Sequence, residues 1–348
     1  MNNQNTRLKQ KRPLSIWDLP GSLLRQPHRF RKRIPKRGRE RSHHAAILAF
    51  IYRNRFATAS QVQRRFTDIL KSDRTARRHL AEMQESLGYL DLVPTPSPLW
   101  PKVYSVSWRG MRKLAHAFQK KQPSWKPPIN DRQRIGFSIH HVYHELACTE
   151  FLLRVHEAAK TTGIELLEMQ RRSLVKNEAF RLPGRSGSRL VPDGMFVLRM
   201  SQGMICTFLE IDTGSMSTKA VAEKLRRYAQ WGETERGRDF VVDTYRKHGA
   251  ASPQARFRVA IICGGDSQAE SQRRLNALME TVHDFPMEFR SAIWIITTAA
   301  IRDADCLIMG KVWLHLRDRS TSPVETHPFL TPLTIANFQR PREDAQDR

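Results

Sequence analysis

Three carboxylates stand at the ends of two apolar runs in the stretch RLVPDGMFVLRMSQGMICTFLEIDTG, Arg189 to Gly214. Asp193 opens the first run, Met195–Met200, and Glu210 and Asp212 close the second, Met204–Ile211, with Ser-Gln-Gly joining the two. Residues two apart on a strand share a face, so Glu210 and Asp212 point the same way. A regular hairpin sets Asp193 at the matching strand end. Three acids gathered at one edge repel unless a cation lies between them. A hard divalent ion, Mg²⁺ or Mn²⁺, suits carboxylate oxygens, and such an ion can polarise a phosphodiester and lower the pKa of an attacking water. The expected metal ligands are therefore Asp193, Glu210 and Asp212. Pro-Asp-Gly is also an ordinary turn sequence. The context is what sets this one apart: TFLEID is an apolar strand, where two acids on one face are costly without a partner. A helix carrying Lys219 and Lys224 follows at once.

Other constellations are weaker. HHVYHELAC sets His140 and His144, and His141 and Glu145, one helical turn apart, but it reads H-E-x-x-C where a zinc protease needs H-E-x-x-H. These histidines read as a partly buried helix face, from which His144 could approach the carboxylates. ICGGDS lacks a Walker Lys-Ser/Thr, and GRSGS is not G-x-S-x-G. Cys148, Cys206, Cys263 and Cys306 are far apart with no C-x-x-C pair, which argues for buried thiols rather than a zinc ribbon or disulfides.

The elements that must position the acids follow from periodicity. A long helix is expected over about 137–160, a strand at Ile164–Met169, the acidic hairpin, and a helix over about 217–231 with Val221, Leu225 and Tyr228 inward. The strand FRVAIICGG, a helix over about 267–282, the strand SAIWIITTA and a last strand near 311–316 complete a mixed α/β sandwich on a central sheet.

Upstream, Ile47, Leu48, Ile51 and Tyr52 form one helix face, and Thr58 and Gln61 have capping-box spacing for a second helix. A third helix capped by Ser72 buries Ala76, Leu80, Met83 and Leu87 and ends at Gly88. Its other face carries Arg74, Arg77 and Arg78, with Lys71 just before it. Short extended runs at 89–93 and 103–106 follow, then a helix over about 110–118. Three helices and a hairpin are the order of a winged helix-turn-helix, whose third helix enters the major groove. Lys71, Arg74, Arg77 and Arg78 are the expected DNA contacts.

Charge agrees. The chain has 59 Lys+Arg against 34 Asp+Glu, a net charge of +25 over 348 residues. Such an excess attracts polyanions, and double-stranded DNA is the expected partner. Residues 1–42 hold 13 Lys+Arg and 2 Asp+Glu and read as a disordered basic arm. The divisions expected are the arm 1–42, a winged helix-turn-helix domain 43–119, a Pro-rich linker 120–133, the α/β domain 134–318 and a flexible tail 319–348. No secretory signal or membrane-spanning run is seen, so a cytoplasmic, nucleoid-associated bacterial protein is expected, with no membrane partner. A homodimer on a two-fold DNA site fits this class, though no heptad run marks one.

Pro-Asp before one strand and an acidic pair on the next, in an α-β-β-β-α-β order, resemble the PD-(D/E)xK nuclease superfamily. More narrowly, residues 43–265 resemble the replication-relaxation family of plasmids and mobile elements, which joins a winged helix to a domain with the pattern PD…E-x-D-x-G/T…K-L-x-x-Y. The matching residues are Pro192, Asp193, Glu210, Asp212, Thr213, Gly214, Lys224, Leu225 and Tyr228. The resemblance implies a restriction-endonuclease-like fold and a metal-dependent DNA endonuclease or nickase with Asp193, Glu210 and Lys224 as catalytic residues. It also implies a role in mobile-element replication or transfer beside other replication or mobilisation proteins. The superfamily lysine normally stands two residues after the acid, where this chain has Asp212, so Lys224, or Lys219, takes its place from the following helix. Without such a lysine the domain is a non-catalytic DNA-binding initiator accessory or transcriptional repressor on a nuclease fold. The superfamily also often adds an acid from the first helix. Glu145 and Glu150 both lie there, with a surface position expected for at least one.

Overall fold

The computed structural model describes residues 41–119, 138–171, 178–182, 189–200, 203–214, 216–251, 253–265, 267–303, 307, 311–315 and 326–328. The basic arm up to residue 40, the linker 120–133, Ser201, Gln202, Cys306 and most of the expected tail lie outside the described residues.

The first part runs α1 (His44–Asn54), β1 (Ala57–Thr58), α2 (Ala59–Arg65), α3 (Asp73–Ala81), β2 (Leu90–Val93), β3 (Val103–Val106) and α4 (Trp108–Gln119). The capping box forms: Thr58 Oγ1 accepts from the Gln61 amide at 3.3 Å, and Gln61 Oε1 accepts from the Thr58 amide at 3.2 Å. Ser72 caps α3 by accepting from the Thr75 amide at 3.2 Å. Beyond Ala81 the helix widens to a π-helical turn over Glu82–Ser86, and Gly88, at φ 65°, releases the chain. The left-handed φ there suits glycine, which carries no Cβ. Ala76, Leu80, Met83 and Leu87 are all buried, as their spacing predicts. The strand order β1-β3-β2 is antiparallel throughout.

The second part runs α5 (Ile139–Thr162), β4 (Glu165–Arg171), β5 (Gly194–Met200), β6 (Gly203–Asp212), α6 (Thr218–Glu233), α7 (Glu235–Lys247), β7 (Phe257–Cys263), α8 (Gln268–His283), α9 (Met287–Arg290), β8 (Ile293–Thr297), α10 (Thr298–Asp303), β9 (Lys311–His315) and β10 (Thr326–Pro328). The seven strands are ordered β10-β9-β8-β7-β6-β5-β4. β6, β7 and β8 run parallel, and the flanking pairs are antiparallel. The sheet is thus mixed. Alternation along β6 explains its two cores: Ile205, Leu209 and Ile211 pack with α5, while Cys206 and Phe208 pack with α6, α7 and α8. Among the described residues no helix is long and apolar enough to cross a membrane.

The expected order lacks β1, the short helices α9 and α10, and two further elements, α7 and β10. Helix α7 follows α6 with no glycine or proline between them; Thr234 ends one helix and caps the next, its Oγ1 accepting from the Gly237 amide at 3.0 Å. β10 lies inside the segment read as tail and pairs with β9.

The two parts share a partly buried polar contact along α5. Arg64 of α2 donates from Nε to Glu157 and from NH1 to Glu150, both at 2.6 Å. Gln61 donates to the Leu146 carbonyl at 3.0 Å. A forked guanidinium can satisfy two carboxylates at once, and Glu150 also accepts from Arg154 at 3.2 Å.

Candidate functional site

The β5–β6 ladder brings the acids together. Gly194 pairs with Leu209, and the Asp193 amide donates to the Leu209 carbonyl at 3.0 Å, which sets Asp193 beside Glu210. Asp193 precedes the strand, so its carboxylate reaches around the sheet end. Oδ2 accepts from the Ile211 amide at 2.9 Å and lies 3.2 Å from Nε2 of His144 on α5. Oδ1 lies 3.9 Å from Nζ of Lys224 on α6. Lys224 also donates to Glu210 Oε2, and the Tyr228 hydroxyl donates to Glu210 Oε1 at 2.5 Å. Tyr228 and Lys224 are one helical turn apart on α6, so both face the strand.

Glu210 and Asp212 do share a face, but they have different partners. Asp212 accepts from Arg274 of α8 at 3.0 Å through Nε, and Arg274 also donates to the Met216 carbonyl. Asp212 Oδ1 in addition accepts from the Gly214 amide at 3.0 Å, closing the turn after β6. Glu210, Asp212 and Lys224 line one small crevice with Met216 and Val221.

Of the two candidate lysines, Lys224 reaches the acids and Lys219 is exposed. The first-helix acids correct an expectation, because both Glu145 and Glu150 are buried. Glu145 pairs with Arg171 of β4 and with Arg55 at 3.7 Å, and Glu150 pairs with Arg64. α5 addresses Asp193 through His144 instead, whose Nδ1 lies 3.8 Å from Cys148 Sγ. His140 is exposed, and His141 lies 3.1 Å from Arg55. The described cysteines, Cys148, Cys206 and Cys263, are buried thiols. Lys71, Arg74, Arg77 and Arg78 are exposed, with Arg77 paired to Asp73 at 2.7 Å.

Electrostatics separate the two acids. Asp193 and Glu210 are only 5% and 6% exposed. Burial alone raises a carboxyl. For Asp193, Lys224, His144 and the Ile211 amide more than offset this and hold it well below the carboxylate range. For Glu210, burial dominates; Lys224 offsets it only in part, the Asp193 charge adds to it, and the pKa is pushed up to about 8. The pull of Asp193 on His144 outweighs burial and raises the imidazole. Burial and Glu210 raise the Tyr228 hydroxyl well above its usual value. Paired carboxyls with pKa values driven apart are a mark of acid–base sites.

The donor set fits a hard cation: one carboxylate oxygen from each of Asp193 and Glu210 faces the Lys224 ammonium. Asp212, bound to Arg274, is engaged elsewhere.

Sequence reasoning missed Arg274. One arginine in α8, 62 positions after Asp212, carries no local pattern.

Fold and site together define a mixed α/β protein with a buried acid–lysine site at the end of its central sheet. A family model described as Replication-relaxation matches residues 48–241, more than half of the chain. The chain belongs to the replication-relaxation family, which points to a role in plasmid or mobile-element replication or transfer. The matched segment contains Asp193, Glu210, Asp212, Lys224 and Tyr228. No curated protein and no solved structure matches the chain.

Glu210 gives a signed pH dependence. Its folded pKa lies above its ordinary value of 4.5, so its contribution to stability is complete below pH 4.5 and is lost as pH rises toward and through about 8. Glu210→Gln is expected to flatten the fall of the urea midpoint between pH 5 and 8.5. An unchanged slope contradicts the assignment.

Proposed function

We propose that this chain is a DNA-binding protein of mobile-element replication or transfer, and that Asp193, Glu210 and Lys224 form a metal-dependent phosphodiester-hydrolysing site. The meeting of these three side chains, from the residue just before β5, from β6 and from α6, carries the reading. Asp193 is a fixed anion that, with Glu210, would hold Mg²⁺ or Mn²⁺. When bound, that ion supplies Lewis acidity toward phosphate oxygens. Glu210, oriented by Tyr228 and raised by burial to about 8 without an ion, would ionise on binding one and could then take up a proton as water attacks. Lys224 is placed to stabilise charge developing on the phosphate. The PD-(D/E)xK resemblance supports the same roles.

The DNA-binding half of the proposal rests on the N-terminal part. Its helix–helix–helix and small-sheet order fits a winged helix-turn-helix, with Lys71, Arg74, Arg77 and Arg78 exposed on or beside α3. A duplex docked there meets a chain of strong positive charge.

A second reading is a non-catalytic DNA-binding accessory or repressor. The Asp212–Arg274 pair favours it, because that pair removes one acid from any shared metal site.

Two measurements test these roles. Purified protein is expected to nick or linearise supercoiled plasmid carrying sequence from its own element with Mg²⁺ or Mn²⁺ and not with EDTA. Asp193→Asn and Glu210→Gln are expected to lose this while still binding DNA; equal inactivity of wild type and variants supports the accessory reading. Replacing Arg74, Arg77 and Arg78 with alanine is expected to weaken DNA binding and lower the salt slope, log K against log[salt], by up to about 3. An unchanged slope removes α3 from the interface.

A further inference from the structure

A second cluster of metal-ligating side chains lies far from the acids in sequence, at the junction of α1 and α3. His43 is the N-cap residue of α1, His44 is its first residue and His79 lies on the buried face of α3. One ring nitrogen from each lies within 4.8 Å of the other two. The tightest pair, His43 Nε2 and His79 Nδ1, is 3.4 Å apart. Two nitrogens bound to one tetrahedral zinc at about 2.0–2.1 Å stand roughly 3.4 Å from each other, so this pair already has the spacing of a bound edge.

His44 is the second observation. Its ring is fully buried, and its Nε2 has no hydrogen-bond partner among the described residues. A buried polar nitrogen left without a partner costs free energy that a ligand can recover.

From this geometry we propose that His43, His44 and His79 form a site for a borderline divalent transition ion of the Zn²⁺ type, which ties the start of α1 to α3. Imidazole-only donors select such ions over Mg²⁺, so this site and the acid–lysine site take different metals. Burial, then the charge of Arg41, lowers the pKa of His43 and of His79, and burial, then His43, lowers that of His44 to about 4. A neutral ring keeps one lone pair for ligation; in His44 that of Nδ1 now accepts from the Arg41 amide at 3.3 Å, so ligation through Nε2 moves the ring proton to Nδ1 and releases that contact. Ligation through His79 Nδ1 places the ring proton on Nε2, which now lies 3.3 Å from Arg41 NH1. Arg41 then turns from His79 to Glu82, already 3.3 Å from its NH2. The face of α3 opposite His79 carries the exposed Arg74 and Arg77, with the exposed Arg78 to its side, so the ion would brace that helix from behind.

The test uses the full chain, free of any polyhistidine tag and stripped with chelator. Co²⁺ is titrated by visible absorption and then displaced by Zn²⁺. Wild type is expected to show the ligand-field bands of a low-coordinate nitrogen site at one equivalent. His43→Ala and His79→Ala are each expected to weaken binding roughly a hundredfold or more. His144→Ala combined with Cys148→Ser controls for the other close group of ligating residues, His144, Cys148 and Asp193, and is expected to leave the bands unchanged. His43 is half-buried and makes no side-chain cap bond, so His43→Ala, checked for folding by circular dichroism, decides even where His79→Ala does not fold. Absence of bands in wild type, bands unchanged in His43→Ala, or loss only in the His144/Cys148 variant overturns the proposal.

Discussion

Two carboxylates buried at the end of one β-hairpin need positive charge, and the surrounding structure supplies it from two helices on opposite faces of the sheet. An isolated buried carboxylate costs several kcal/mol. Asp193 meets this cost with Lys224 from α6, His144 from α5 and the Ile211 amide. Glu210 meets it with Lys224 and the Tyr228 hydroxyl. Register, helix placement and side-chain choice therefore serve one requirement. Shift β5 by one residue against β6 and Asp193 no longer stands beside Glu210, because strand faces alternate. At Glu210 burial outweighs these partners, and its pKa stays raised.

Helix α5 links this requirement to the rest of the chain. One side of it carries His144 toward Asp193. Elsewhere Glu145, Thr149 and Glu150 meet Arg55, Asn54 and Arg64 of the N-terminal part. Both described parts thus build on a single helix, and three of the side chains that dock the basic helical part, Glu145, Thr149 and Glu150, stand within two turns of His144, which holds Asp193.

Much of this was legible in the sequence. Period two in Met204–Ile211 placed Glu210 and Asp212 on one face, and helical spacing put Lys224, Leu225 and Tyr228 after it. The capping box at Thr58 and the buried stripe of α3 followed from local chemistry alone. What escaped was long-range. Arg274 reaches Asp212 from α8, so three acids that alternation gathers are divided between two cations. A surface position was expected for at least one of Glu145 and Glu150, yet both are buried, because their arginine partners come from other elements. Helix α7 went unassigned: the preceding helix was expected to end near 231, and Thr234 starts the next one at once. The histidines at the start of α1 acquire their meaning only when α3 folds beside them.

The central claim is that the space now held by the Lys224 ammonium, between Asp193 and Glu210, is a divalent-cation site. Anomalous diffraction from crystals of the full chain soaked in Mn²⁺ tests it most directly. The account predicts a peak within bonding distance of both carboxylates, with Lys224 displaced from Glu210. Saturating Mn²⁺ with no peak there and Lys224 still bridging the two acids would contradict it, and would leave the hairpin acids as a structural ion pair.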